Sequence, residues 1–368
     1  MENKKIRAVG LCCLLAVWAG LVAFSWFGPR KASSEAERRP LAQMPEISVE
    51  TLLNGKFMSK FEDFSLDQFP LRDTFRQVKS LFHYYVLGQL DNNDIYITDG
   101  FAAKQEYPFN QASADHALER FDHLYNKYLK ESGSRVFMAI VPDKGYYLAQ
   151  PSGHLSMDYQ AMFRAFREGM PWAEHIDLTD VLSGADYYRT DTHWRQEELL
   201  EAAQRICGFM GITPPDPADY TTVTLSRPFY GVYYGQAALP MEPETLSYLS
   251  SSLLAQCRVY DHEAQRYTDV YNLEKLESRD LYEVFLSGPR SILTIENPNS
   301  ATDKELIVFR DSFGSSMVPL LVQDYAKVTL IDIRYVQIDV LDRFVEFHGQ
   351  DVLFLYSTLV LNNSSTIK

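Results

Sequence analysis

Leu306-Ile307-Val308-Phe309-Arg310-Asp311-Ser312-Phe313-Gly314 decides the reading of this chain. Leu306–Phe309 is a short continuous apolar run, the pattern of a strand buried on both faces. Ser312 follows it almost directly, where such a strand turns into a helix. Pro319 fits only an early helical turn or a kink, so that helix is expected to start near Ser315 or to bend at Pro319. Val328–Ile333 and Val352–Tyr356 repeat the apolar run, and Ile338, Leu341, Phe344 and Val345 mark a helical stripe between them. Upstream, Val136–Val141 is another buried strand and Ile176-Asp177-Leu178 a weaker one. Strands alternating with helices imply an α/β fold, a mostly parallel sheet with helices on both faces. In such sheets the ligand site lies beyond the carboxyl ends of the strands. Ser312, Arg334, Ser357 and the Pro142-Asp143-Lys144 segment all fall at such ends.

Asp191-Thr192-His193-Trp194 supplies what Ser312 lacks. A serine hydroxyl is a poor nucleophile until an imidazole takes its proton, and the imidazole works best when a carboxylate sets its tautomer. Asp191, His193 and Ser312 are therefore the candidate catalytic residues, in the chain order Asp, His, Ser. The same constellation occurs in several orders on unrelated folds, so the order is no objection. Each segment alone also reads as a helix cap. The Ser312 backbone N–H is the first candidate donor to an oxyanion.

The totals narrow the classes. The chain has 368 residues, 46% hydrophobic and 23% charged, which is ample core material for one large domain with an extension. Its net charge of −14 argues against nucleic acid as a partner, since phosphate binding needs a basic footprint. The 23 tyrosines and 22 phenylalanines suit a carbohydrate-facing surface but are equally satisfied by core packing. No Cys and His spacing suggests a metal, and no cofactor motif is present.

Ala8–Phe27 is an uninterrupted apolar run, long enough at ~1.5 Å per residue to match a hydrocarbon core about 30 Å thick. It exceeds the usual signal-peptide core, and no small-x-small cleavage site clearly follows. Residues 1–32 are thus expected to be a cytoplasmic tail and an uncleaved signal anchor, with the membrane met through residues 8–27. Lys4, Lys5 and Arg7 before the span, and Arg30, Lys31, Arg38 and Arg39 after it, leave its orientation undecided by charge. Residues 33–43, rich in charge and small side chains, read as a flexible stalk. Cys12 and Cys13 lie in the span. Cys207 and Cys257 are either a disulfide or buried free thiols, since Cys207 also sits on a helical apolar stripe.

Between the stalk and the first strand two helices are expected. One starts in Asp67–Asp73, with Pro70 in its first turn, and shows apolar positions Phe75, Val78, Leu81, Phe82 and Tyr85. The second is capped by Ser113, runs through Leu118, Phe121, Tyr125 and Tyr128, and ends near Gly133. After His193, Leu199, Ala203, Ile206, Cys207 and Met210 mark one helix face. Residues 211–285, broken by Pro214, Pro215, Pro217, Pro228, Pro240 and Pro243, read as a loop-rich insertion in a domain spanning 44–368.

These motifs together resemble the bacterial DHHW proteins, which are similar to the SGNH-type alginate O-acetyltransferases of the extracytoplasmic face. The resemblance runs from Arg39-Pro40-Leu41-Ala42 and Asp67–Asp73 through Val141-Pro142-Asp143-Lys144 and Tyr187–Trp194 to Asp311-Ser312-Phe313 and Ile331–Tyr335. It implies an SGNH-hydrolase-like fold with Ser312 as nucleophile, His193 as general base and Asp191 as its orienting carboxylate. It also implies an extracytoplasmic domain on a single-pass anchor, which acylates a cell-surface polysaccharide through an acyl-serine. The acyl group, an acetyl by the resemblance, would come from a membrane-bound O-acyltransferase partner. The same triad serves a carbohydrate esterase or deacetylase, and the same fold a non-catalytic surface-assembly or polysaccharide-binding protein. Two departures stand out: Thr192 where the family name has a histidine, and Arg310 where SGNH enzymes have glycine. The Gly and Asn donors of the usual oxyanion hole are missing from the strand ends. Arg334, Ser357, Arg310 and Lys144 are the candidates for oxyanion or substrate contacts, with an ion pair to Asp332 the alternative for Arg334.

Overall fold

A computed structural model describes residues 2–34 and 36–368; Met1 in the expected tail and Glu35 in the expected stalk lie outside the described residues. The chain divides into two compact units, residues 1–93 with 234–240, and residues 94–233 with 241–368.

In the first unit, helix α1 (Glu2–Phe27) is long and apolar enough from Lys4 to Phe27 to cross a membrane, by length and composition. It fits a single-pass anchor. In the segment that follows, Ser33–Ser34 pairs antiparallel with Arg39–Pro40, and Leu41 is buried. The Arg39 guanidinium forks onto the Asp67 carboxylate at 2.8 and 2.6 Å. Helices α2 (Val49–Leu53), α3 (Lys56–Asp67) and α4 (Arg72–Leu81) complete the unit, α4 running on as a wider turn through Phe82–Val86. The helix start at Arg72 falls within the expected Asp67–Asp73 segment, but Pro70 lies before the helix and not in its first turn. Asp67 closes α3, and Leu71 in the left-handed region (φ 57°) turns the chain before α4 begins.

The second unit is built on one mixed sheet. Its strands are β1 (Arg135–Val141), β2 (Glu174–Ile176), β3 (Arg258–Asp261), β4 (Arg266–Thr268), β5 (Ile292–Glu296), β6 (Glu305–Arg310), β7 (Lys327–Ile331) and β8 (Asp351–Ser357). The spatial order is β4-β3-β5-β7-β6-β8-β1-β2. From β7 to β2 every neighbour is parallel, whereas β5, β3 and β4 add antiparallel pairings at the other edge. The expected mostly parallel α/β sheet is what forms.

Side-chain alternation sorts the core onto two faces. Leu353 and Leu355 of β8 pack with Ala203, Ile206, Cys207 and Met210 of helix α8 (Leu200–Met210). Val352, Phe354 and Tyr356 pack with Ala117 and Phe121 of helix α5 (Gln111–Leu124), and with Met162 and Phe166 of helix α7 (Tyr159–Gly169). A short helix α6 (Lys144–Leu148) follows β1. The cap of α5 is Asn110, whose side chain accepts the Ser113 N–H, while the Ser113 hydroxyl donates to Leu361 O at 3.0 Å. Part of the expected insertion at 211–285 supplies β3 and the edge strand β4, too short to carry a periodic signal. The stripe at Ile338–Val345 is only a 3-10 turn, Ile338–Arg343. Cys207 and Cys257 are free and buried, so the thiol reading holds; burial pushes both up, to about 12 and about 11.

Candidate active site

Ser312 follows the central strand β6, whose pairing with β7 on one side and β8 on the other holds its carboxyl end. The turn after it is set by Asp311. One Asp311 oxygen accepts the Phe313 N–H at 3.0 Å, and the other accepts both the Ser357 N–H (2.7 Å) and the Ser357 hydroxyl (2.6 Å). The helix beyond runs Gly314–Met317 and tightens into a 3-10 turn at Val318–Leu321, with Pro319 in its first residues. That change of pitch is the expected effect of a proline that cannot donate.

The other half of the site is a tight hairpin. Tyr187 bridges to Trp194, and Tyr188 N–H donates to His193 O at 3.0 Å. Asp191 and His193 thereby project from one turn. The Trp194 indole ties this hairpin to the serine segment, donating to Ser316 Oγ at 2.8 Å and Phe313 O at 3.2 Å. Behind the turn, Glu244 accepts Arg189 N–H, Thr190 N–H and the Thr190 hydroxyl at 2.6, 2.7 and 2.7 Å.

His193 Nε2 lies 2.8 Å from Ser312 Oγ, and His193 Nδ1 lies 2.6 Å from Asp191 Oδ1. Asp191 is fully buried, and its other oxygen accepts the Val232 N–H at 2.7 Å. The three groups form one proton-transfer line, with Nε2 free to accept the serine proton when Nδ1 carries its hydrogen toward Asp191. The imidazole has two aromatic neighbours: Tyr282 stacks on it at 3.8 Å and 9°, and Phe313 lies tilted at 5.0 Å. Burial pushes the Tyr282 phenol well up, so it remains a neutral ring hydrogen-bonded to Ser316 Oγ.

The other sequence candidates take different places. Arg334 forks onto Asp332 at 2.9 and 2.7 Å, the ion-pair alternative. Ser357 is committed to Asp311. Arg310 is buried beneath the turn at Gly314, with one contact to Asp311 O at 3.3 Å; its Nε and Nη2 find no partner among the described residues. Burial lowers its pKa. Lys144 is buried too, donating to Tyr188 O at 2.8 Å with its ammonium 5.0 Å from the Tyr233 ring. Burial lowers it to about 7. It braces the hairpin backbone and does not touch Ser312 or His193. Next to it, Asp143 accepts from Tyr159 OH, Thr358 Oγ1 and Gly145 N–H at 2.8, 2.7 and 2.8 Å. Among the described residues the Ser312 N–H donates to no protein acceptor.

Tyr282, Glu244 and the Val232 N–H were missing from the sequence reading. All lie in or beside the irregular stretch between α8 and β5, far along the chain from the groups they serve, where no periodicity or motif points to them.

Comparison with known proteins agrees with the fold. Residues 179–331 match the DHHW protein family. A DHHW family protein from Eubacterium siraeum superposes at a TM-score of 0.61 with 22% identity, over 75% of this chain and 95% of that one. PatB1 of Bacillus cereus, solved with a sulfonyl adduct, superposes at 0.58 with 19% identity, over 73% and 95%. The O-acetyltransferase domain of Pseudomonas putida AlgJ aligns more loosely, at 0.42 and 16% identity, over 73% and 92%. No curated protein matches. Identities this low speak to a shared fold. The resemblance read from the motifs stands at residues 179–331, which match the DHHW protein family, and the α/β fold is shared with the Eubacterium siraeum protein and with PatB1.

Proposed function

We propose that this protein is a serine-dependent O-acyltransferase of the cell exterior, acetylating a surface polysaccharide. The observation that carries the proposal is the unbroken line from Asp191 through His193 to Ser312, with contacts of 2.6 and 2.8 Å. Ser312 Oγ attacks the carbonyl carbon of the acyl donor while His193 Nε2 takes the hydroxyl proton. The tetrahedral oxyanion meets the Ser312 N–H. Collapse expels the donor's leaving oxygen, which takes the proton from His193 and leaves acyl-Ser312. A sugar hydroxyl then gives its proton to His193, attacks the acyl carbon and frees Ser312.

Outside the membrane there is no acyl-coenzyme A, so the acyl group is passed on by a membrane-bound O-acyltransferase partner. The single apolar helix α1 would anchor the protein beside it, with the catalytic unit outside. The similarly folded PatB1 holds a sulfonyl adduct, and an activated serine is the group such reagents modify. Treating the full chain with phenylmethylsulfonyl fluoride tests the reading. Adduct mass on the Ser312 peptide, lost in Ser312→Ala and in His193→Ala, is expected; no adduct at Ser312 would refute it. An activated acetate ester, turned over with and without added oligosaccharide, separates transferase from esterase. Hydrolysis that no sugar diverts makes the protein a carbohydrate esterase.

A non-catalytic surface-assembly role has one observation in its favour. Arg334 and Ser357 are spent on Asp332 and Asp311, so neither of these candidates is free to serve the oxyanion. If Ser312→Ala and His193→Ala change neither cell-surface acetylation nor any esterase signal, that role is the correct one.

A further inference from the structure

Helix α4 leaves an apolar stripe uncovered, which is unusual for a water-soluble unit. Two of its polar side chains are turned inward: Arg76 donates to Gly235 O at 2.9 Å, and Ser80, 1% exposed, donates to Ala237 O at 3.0 Å, while Asp73, Gln77 and Lys79 stay exposed. Its apolar face is turned outward. Phe75, Val78, Phe82 and Tyr85, spaced as one helical stripe, are 49, 58, 50 and 68% exposed. A helix facing water buries such a stripe. One facing hydrocarbon shows it.

The stripe is continuous with the helix that fits a membrane anchor. Phe75 packs on Phe69 (ring centroids 5.6 Å), and Phe69 packs on Trp18 of α1 (6.2 Å). Trp18 lies roughly 13 Å before the end of α1 at ~1.5 Å per residue, which is well inside a hydrocarbon core about 30 Å thick. Higher up, Trp26 stacks toward Phe61 of α3 at 5.3 Å, and Ser25 Oγ donates to Ser65 O at 2.9 Å. A cavity of about 1070 Å³ opens in this unit, walled by Phe24, Phe69 and Leu71 and edged by Arg30, Lys31 and Arg72 together with the carboxylates Asp67 and Asp73. Its apolar walls match acyl chains, and the long stems of Arg30 and Lys31 can carry their charge up to the headgroups.

We infer that α4 lies in the lipid monolayer into which α1 emerges, its Phe75–Tyr85 stripe among the acyl chains, so that this unit is a membrane-embedded platform and not a solvated tether. The occupant is phospholipid. The inference does not depend on the chemistry at Ser312.

The test uses the full chain, with Cys12 and Cys13 changed to Ala, in nanodiscs of phosphatidylethanolamine and phosphatidylglycerol. Nitroxide labels are placed by Val78→Cys and Phe82→Cys on the stripe, and by Gln77→Cys on another, exposed face. Labels at 78 and 82 should favour collision with oxygen over a water-soluble nickel chelate several-fold more than the label at 77. Equal nickel access at all three sites overturns the inference. So does shielding of 78 and 82 from both reagents, which would mean a protein partner or a second copy covers the stripe. In the unsubstituted chain, a phospholipid with a diazirine on its acyl tail should label the peptide holding Phe75–Tyr85; labelling confined to α1 overturns the inference without any variant.

Discussion

The imidazole of His193 lies flat on the phenol ring of Tyr282, centroids 3.8 Å apart and planes 9° from parallel. In the proposed mechanism a ring face attracts the imidazolium formed when His193 takes the serine proton, and holds the imidazole in the plane that reaches both Asp191 and Ser312. Interactions of this kind contribute about 0.5–2 kcal/mol. Tyr282→Leu should therefore lower kcat for an activated acetate ester roughly 2- to 30-fold. Tyr282→Phe keeps the stack and loses only the contact to Ser316 Oγ, so it should stay close to wild type. Equal losses in both would place the effect on the hydroxyl instead.

Asp191 accepts from His193 Nδ1 and, through its second oxygen, from Val232 N–H. Asp191→Asn keeps the shape but can present an amide N–H to Nδ1, favouring the tautomer that cannot take the serine proton. In such triads this costs about 10⁴-fold in kcat. Steady-state ester hydrolysis should show that loss with little change in melting temperature.

Gly231 is packed against the same turn, and a Cβ there would sit 2.3 Å from Asp191 Cα and N. Those are backbone atoms and cannot step aside. Gly231→Ala should cost roughly 1–3 kcal/mol and disturb the Asp191–His193 contact, seen as lower melting temperature and lower activity together. Gly208, on the exposed side of α8 with nothing within 4 Å of its would-be Cβ, is the opposite case. Gly208→Ala should stabilise by about 0.5–1 kcal/mol.

Arg310 is a buried cation with two nitrogens lacking partners among the described residues. Replacing such a group by an apolar side chain of similar length is often neutral or stabilising by about 1–4 kcal/mol. Arg310→Met should keep or raise the melting temperature and leave ester hydrolysis within a few-fold. Collapse of activity in a stably folded variant would assign the cation to the site after all.

Lys144 titrates near about 7 in the folded chain because burial opposes its charge, against about 10.4 when unfolded. Between those values the unfolded chain binds the extra proton, so this group makes stability rise with pH across that window. Below about 7 its full cost is present. Melting temperature measured from pH 6.5 to 10 should therefore rise for wild type relative to Lys144→Met, which lacks the titration. A constant difference would mean that Lys144 keeps its ordinary pKa.

Much of the second unit was legible because its strands declare themselves. Val136–Val141, Leu306–Phe309 and Val352–Tyr356 are apolar on both faces, and only a covered parallel sheet uses such runs. Strands β3 and β4 were not legible: they are short and alternate with polar residues, so they look like loop until β5 is there for β3 to pair with and β3 for β4. The helix at Phe75–Tyr85 was found by its spacing, yet spacing reports only that one face is apolar. Which solvent that face meets depends on where Arg76 and Ser80 find their partners.

The chain by itself determined the strand–helix alternation, the apolar span and the three chemical groups of the site, since these follow from residue type and local period. It could not decide that Asp191, His193 and Ser312 meet, that Arg334 and Ser357 turn to neighbouring carboxylates, or that Tyr282 covers the imidazole. Those outcomes rest on contacts between residues far apart in sequence. Such contacts exist only after the sheet has ordered its strands and brought the ends of β6 and β8 beside the Tyr187–Trp194 hairpin.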